Sequence, residues 1–539
     1  MKTVIIHIIK LLAFTAFIIL SSCSSKENNN KDHLVFRYNE YSNIQSLDPA
    51  FARVNANIWA CNQLFNSLVQ LDDSLHIQPD IAKSWKISDD ALRYTFKLRN
   101  DIYFHKHQLF GKDSTRLLTA KDVKYSLERL IDDKVASPGR WVMKPVKKIL
   151  ATNDSTLTIE LEQPFPAFLG LMSMKYCSVV PQEIVEYYGN DFRSNPIGTG
   201  PFHFKNWIEN TKLVLRKNPL YYEKDANGKQ LPYLEAVAIS FLTDKQSEFL
   251  QFAQGNIDFV SGLDPSYKDE ILTADGKLRE KYLSSVEMLS GDYLNTEYLG
   301  FYLDGNIPEI QSELIRKAIN YGFDKQTMVT YLRNGVVTPA VNGFIPKGLP
   351  SFNNLKGYTY QPEKAKQLVE QFIKETGISQ PKITISTDSN YVDLCEYIQR
   401  ELEKIGLTVT VDLLTSSTFR QEKSAGKLDI FRASWVADYP DAENYLSLFY
   451  SKNFTPNGPN YTHFKNATYD SLYEHSLVET NLNKRQILYQ KMDSIVINKA
   501  PIVPLYYDKA IRFTRKNING LGINPINLLH LKRVYKNKK

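Results

Sequence analysis

The sequence predicts an α/β fold on three observations. Residues 382–436 alternate strand-like and helix-like stretches, and strands joined by helical crossovers form a parallel sheet. Strand and amphipathic-helix patterns are interleaved along most of the rest of the chain. At 539 residues the chain is too long for one core and reads as two to four lobes.

The parallel unit is the clearest segment. Ile383 and Ile385 alternate within Lys382–Thr387, a first strand. Leu394, Ile398, Leu402 and Ile405 recur at helical spacing over Val392–Ile405, and Gly406 suits the residue that closes a helix. Leu407–Leu414 is a second strand, and Thr415–Ala425 a short helix. Leu428 opens a third strand containing Ile430, Phe431, Ala433, Trp435 and Val436. Asp438-Tyr-Pro-Asp441 ends it, because Pro440 has no N–H for a ladder and biases Tyr439 away from helix. Ligands of such sheets bind beyond the carboxyl ends of the strands. Arg432, Trp435 and Asp438 therefore offer a cation, a large amphipathic ring and an anion at a candidate binding position. The competing reading makes Asp438 a turn-former ahead of a proline.

Elsewhere, Leu34–Tyr38 reads as an opening strand and Asn57–Leu71 as a helix. Tyr94–Arg99 and Thr156–Leu161 alternate like strands. Thr119 is a helix N-cap, with Asp122 complementing the helix dipole in the first turn. Ile197–Phe202 is a tight turn and Leu213–Leu215 a strand. Helices are expected at Phe249–Ile257, closed by Gly255, and at Ser312–Asn320, Lys325–Leu332 and Leu482–Ile497. Pro362–Glu375 has Pro at its first position and Gly377 beyond its end, the usual asymmetry. Tyr461–Asp470 reads as a loop and Pro501–Tyr507 as a short strand.

Charge and composition exclude several classes. The net charge of +7 is spread along the chain, with no dense basic block before the C-terminal Lys532–Lys539, so nucleic-acid binding is not expected. The 32 Tyr and 28 Phe fit either core packing or a cavity that stacks and hydrogen-bonds a polar ligand. The N-terminus has the form of an export signal, with Lys2 ahead of the uncharged apolar run Leu11–Leu20, too short to span a bilayer comfortably. Leu20-Ser21-Ser22-Cys23 resembles a bacterial lipobox, although Ser22 stands where Gly or Ala is preferred. Cys23 is then the lipidated first residue of the mature protein, and Ser24–Asp32 a polar tether. Cys61, Cys177 and Cys395 allow at most one disulfide, show no zinc spacing, and read as buried free thiols.

An ordered series of short pieces carries a broader resemblance. They are Leu47-Asp48-Pro49; Pro79–Trp85 with Tyr94–Arg99; Leu118-Thr-Ala-Lys-Asp-Val-Lys-Tyr-Ser-Leu-Glu-Arg129; Val180-Pro-Gln-Glu-Ile184; Gly198-Thr-Gly-Pro-Phe202; Asn218-Pro-Leu-Tyr-Tyr222; Gly255-Asn-Ile-Asp258; Arg316-Lys-Ala-Ile319; Trp435–Pro440; and Pro501–Leu505. From Leu34 nearly to its end, the chain resembles the family 5 extracellular solute-binding proteins, the dipeptide- and oligopeptide-binding class that feeds ABC importers. The resemblance implies a periplasmic binding protein-like clamshell of type II, cluster C-like, with three domains and mixed and parallel sheets flanked by helices. Domain I would combine residues 33–80, 196–292 and 508–539, domain II would span 81–195, and domain III 293–507. A short peptide would lie between domains I and III. The implied partners are an ABC permease and ATPase and, through Cys23, a membrane; the protein would act as a monomer, without cofactor or metal.

At matching positions the resemblance gives Asp438 the role of pairing with the peptide α-ammonium. It places Trp435 in a side-chain pocket, with Tyr439 beside it, and gives Arg432 the option of meeting a C-terminal carboxylate. Trp141, in Ser137-Pro138-Gly139-Arg140-Trp141, is a further candidate ligand contact. Val436 replaces a cysteine that forms a disulfide in one member of the family.

The rival classes are weaker. The chain has no Gly-x-Ser-x-Gly and no His-Glu-x-x-His, and Ser424-Ala-Gly-Lys427 lacks the companion motifs of a Ser-x-x-Lys hydrolase. His105-Lys106-His107 could offer two metal ligands on one strand face, but is read as solvated histidines in a surface turn. A peptide-sensing receptor without transport, or a binder of a metal chelate, haem or oligosaccharide, remains an alternative.

Overall fold

The computed structural model describes residues 34–264 and 266–537. The signal segment 1–23, with Cys23, and the tether 24–32 lie outside them. The parallel unit forms where the spacing places it. Its strands are Lys382–Thr387, Thr408–Leu413 and Ile430–Val436, and its helices Val392–Glu403 and Ser416–Ser424. The Lys382 strand lies between the other two and runs parallel to both. Leu394, Ile398 and Leu402 form the buried stripe of the first helix, in one cluster with Ile383, Ile385 and Val409. Gly406 has φ 95°, the left-handed conformation in which the chain turns from helix into strand without a Cβ penalty.

This unit is one end of a larger mixed sheet. The Ile430 strand pairs antiparallel with the 16-residue strand Val286–Phe301, which pairs antiparallel with Ile502–Arg515. The expected short strand at Pro501–Tyr507 thus runs on for eight further residues, to Arg515. Its far half pairs with Phe259–Ser261, which leads to Val35–Asn39 and Ala236–Ser240. One sheet therefore passes through two regions of the chain by way of two long strands. Their register shifts between Asp292 and Thr296, and again between Glu297 and Tyr298.

Residues 81–195 fold around a separate four-stranded antiparallel sheet of Ala82–Ile87, Arg93–Leu98, Thr156–Leu161 and Val146–Asn153. Three large buried clusters underlie these sheets, and they share residues across the regions. Phe96, Leu127 and Phe168 share one core, Phe36, Leu213 and Leu531 a second, and Leu299, Ile319 and Ile398 a third. Each such side chain contributes roughly 1.5–3 kcal/mol relative to exposure. Thr119 caps the helix Ala120–Glu128, and Asp122 closes the capping box on the Thr119 N–H at 2.8 Å. Asp48 of the Leu-Asp-Pro turn receives a two-pronged ion pair from Arg129, both side chains being nearly buried. That pair ties the turn to the second region. Cys61, Cys177 and Cys395 are buried free thiols, as expected.

Three local expectations change. The helix expected over Asn57–Leu71 ends at Leu64, and Val69–Leu71 is a strand paired with Ile77–Pro79. Tertiary bonds outweigh the apolar periodicity here. The Leu64 carbonyl accepts from the Gly200 N–H at 2.9 Å, and the Ser67 N–H donates to Asp80 at 3.1 Å. A Cβ on Gly200 would meet the Leu64 carbonyl carbon at 2.4 Å, so the turn at 198–202 requires glycine for this approach. The expected loop over Tyr461–Asp470 becomes helix from Ala467, capped by Asn466. Of the histidines in His105-Lys106-His107, only His107 is partly open to solvent. His105 is buried, accepts from the Gly198 N–H at 3.2 Å, and lies 3.1 Å from the Gly200 carbonyl. Burial pushes its pKa down to about 3, so the ring is neutral. It secures the glycine turn. His107 contacts the Tyr188 hydroxyl at 3.0 Å.

Candidate functional site

The Ile430 strand ends at a cavity of about 1420 Å³ lined from all three regions of the chain. That volume exceeds the usual range for a small-molecule pocket, about 300–1,000 Å³. Trp435, Asp438 and Tyr439 line it, as does Trp141 from the second region; Arg432 does not.

Asn444, on the short helix Glu443–Leu446, shapes the strand end. Its Oδ1 accepts from the Trp435 indole N–H at 2.9 Å and from the Asp438 backbone N–H at 3.2 Å. One buried amide thus fixes both the ring and the turn. The Ala437 N–H donates to the Leu294 carbonyl at 2.8 Å, which anchors the turn to the long strand. Tyr439 is buried, and its hydroxyl donates to Glu443, as does the hydroxyl of Tyr473. Asp441 accepts from Tyr489 at 2.7 Å and pairs with Arg485 at 3.1 Å. Of the two aspartates flanking Tyr439-Pro440, Asp441 is therefore satisfied by the protein.

Asp438 is different. Its side chain opens to the cavity, while protein surrounds it at longer range, and this enclosure raises its carboxyl above the usual value. No cation lies within ion-pair distance of it among the described residues. Across the cavity, Trp141 is 42% exposed, with its ring centroid 6.4 Å from that of Tyr439.

Arg432 is buried and directed away from the cavity. It forms an ion pair with Glu297 on the neighbouring long strand, and its guanidinium lies over the Tyr391 ring, 3.1 Å from the centroid. Val436 is 40% exposed at the cavity, where a thiol would find none of the three cysteines.

Sequence reasoning missed Asn444, Lys175 and Tyr176, all of which line the cavity. Lys175 had a signal, being a lone cation after the apolar run Phe168–Met172. Asn444 had none, since its partners are set by the fold. Among the described residues no group of His, Cys, Asp and Glu is placed to hold a metal ion, and no helix is long and apolar enough to cross a membrane.

A cavity at strand carboxyl ends, enclosed by regions that share one sheet through two long strands, defines the type II periplasmic solute-binding class. The comparisons agree with that geometry. The model for bacterial extracellular solute-binding proteins, family 5 Middle, matches residues 76–457, and the chain belongs to that family. It is similar to a probable deoxycholate-binding periplasmic protein, YgiS, of Escherichia coli K12, with 28% identity over 533 residues and 93% of each chain covered. It is also 28% identical over 486 residues to heme-binding protein A of Haemophilus influenzae, covering 86% of this chain and 85% of that one. Among solved structures, the periplasmic binding protein DppA of Helicobacter pylori, in complex with the peptide STSA, superposes with a TM-score of 0.77. The two share 26% identity, and the match covers 94% of this chain and 98% of that chain.

Proposed function

We propose that the protein captures short peptides in this cavity and delivers them to the permease and ATPase of an ABC importer. In this reading acyl chains on Cys23 hold it at a membrane. One observation carries the peptide assignment: Asp438 presents an accessible carboxylate, without a cation of its own, to a cavity large enough for an extended ligand. A binder of varied peptides must fix what all peptides share, beginning with the α-ammonium. A charge-assisted bond to it contributes about 1.5–3 kcal/mol. Trp435 and Trp141 offer apolar faces to side chains, and the roomy cavity leaves space for bridging water. The STSA complex of the Helicobacter pylori protein supports the same ligand class. Arg432 can meet a C-terminal carboxylate only if it leaves Glu297.

The division into residues 33–80, 196–292 and 508–539, then 81–195, then 293–507, belongs to the same proposal. Its boundaries at 292/293 and 507/508 fall beside the register shift of the long strands, which is where bending would occur. A second reading, an acidic non-peptide solute, is favoured by the deoxycholate- and haem-binding relatives.

Mass spectrometry of ligands released by denaturing the purified mature protein tests the assignment. Short peptides are expected; bile acids, haem or sugars in their place would overturn it. Cys23→Ser tests the anchor and should leave the protein unlipidated. A variant that still fractionates with membranes at its mature size would contradict the lipid reading.

A further inference from the structure

The cavity contains a second charge without a partner. Lys175 opens the short turn Lys175–Cys177 and is only 8% exposed, yet it lines the cavity. Among the described residues its ammonium makes no hydrogen bond and no ion pair. The nearest anion, Asp80, favours the charged form of Lys175 from beyond ion-pair distance, and its oxygens are taken by other donors. Asp80 accepts from Asn66 at 2.8 Å, from the Ser67 N–H at 3.1 Å and from Tyr222 at 2.8 Å. Lys532 pairs with Glu223 at 2.5 Å and donates to Gln70 at 2.9 Å. His530, also at the cavity, has its pKa pushed down to about 3 by burial and by Lys532 and Lys175, and is neutral. Other buried cations, such as Arg432, Arg485 and Arg512, have acceptors and stand off the cavity.

An enclosed ammonium without an acceptor is costly, and burial lowers the Lys175 pKa accordingly. A methionine of similar length would pack there without that cost. Residues that break a local rule in this way mark functional positions. Lys175 and Asp438 both line the cavity and are not paired with each other.

We propose that Lys175 is an anion subsite that receives a carboxylate of the bound ligand. A ligand meeting both Lys175 and Asp438 is then a zwitterion. The inference rests on the peptide reading only for the source of the carboxylate, which is either a peptide C-terminus or the acid group of another solute.

The test uses purified wild type and Lys175→Met with two pairs of probes. One pair is a random tetrapeptide library with free termini and the same library amidated at the C-terminus. The other is deoxycholate and its methyl ester. Retention is read by mass spectrometry after equilibrium dialysis. Wild type should favour the acid of at least one pair by roughly 10- to 150-fold, the range of one charge-assisted bond. Lys175→Met should lose that preference while its unliganded form melts at a higher temperature, which shows that it is folded. Preference for deoxycholate over its ester, with no peptide retained, would uphold the anion subsite and remove the peptide reading. Equal retention of acid and neutral forms by wild type, or an acid preference that survives in Lys175→Met, would overturn the subsite.

Discussion

Arg432 and Asp438 stand six residues apart at one end of the same strand and turn, and they are used in opposite ways. Arg432 lies opposite Leu299, so Glu297 is its diagonal neighbour across the sheet, close enough for a direct ion pair. Tyr391 covers the guanidinium, and the pair is closed to the cavity. Asp438 stands beyond the last residue of the strand, where the ladder no longer supplies a facing side chain, and its carboxylate is left to the cavity. The difference separates a charge that holds the fold from a charge available to a ligand. The cross-strand partner decides which is which, and residue type alone does not.

Breaking the paired charge should have the largest effect on the unliganded protein. Glu297→Gln leaves Arg432 buried without its anion and should cost about 3–5 kcal/mol in urea unfolding. Adding Arg432→Met should restore most of that loss, since a buried pair replaced by apolar groups is often neutral. Asp438→Asn should instead stay within about 0.5 kcal/mol of wild type. If the two single variants are equally destabilised, the contrast fails.

A pH titration sharpens the comparison. Asp508 shares the Asn295 amide with Glu297, each at 3.1 Å, and burial together with the Glu297 charge raises its pKa from 3.8 to about 6. Between these two values the folded state holds the proton more often than the unfolded state does. Its contribution is therefore present at low pH and is lost as pH rises through about 6. Asp508→Asn should flatten that fall, by on the order of 3 kcal/mol, in unfolding curves of variant against wild type. Parallel curves would separate Asp508 from the cluster. The smallest effect belongs to Trp141, which is 42% exposed. Trp141→Ala should leave stability unchanged and weaken a co-purifying peptide by about fivefold, the size of one aromatic contact.

Much of this was legible in the sequence, and the limits have physical causes. The boundaries of Lys382–Thr387, Lys325–Leu332 and Thr156–Leu161 follow from periodicity and capping, which are local. The break after Leu64 was not legible, because Gly200 and Asp80 impose it from distant positions. Nor was the fate of Arg432, whose partner lies 135 residues away. Asp438, Trp435, Tyr439 and Trp141 could be named because turn chemistry and the family pattern mark them. Asn444 became visible only once three regions closed around one cavity, whereas Lys175 was marked in the sequence only as a lone cation after an apolar run.

The central claim is that the unpaired carboxylate of Asp438 holds the ligand's ammonium. Titration calorimetry on wild type and Asp438→Asn, with one co-purifying peptide in free and N-acetylated forms, tests it most directly. Wild type should bind the free peptide far more tightly than the acetylated one. Asp438→Asn should lose about 3–5 kcal/mol for the free form, roughly two to four decades in Kd, and much less for the acetylated form. An unchanged affinity of Asp438→Asn for the free peptide would contradict the account and leave Asp438 as a residue of the turn alone.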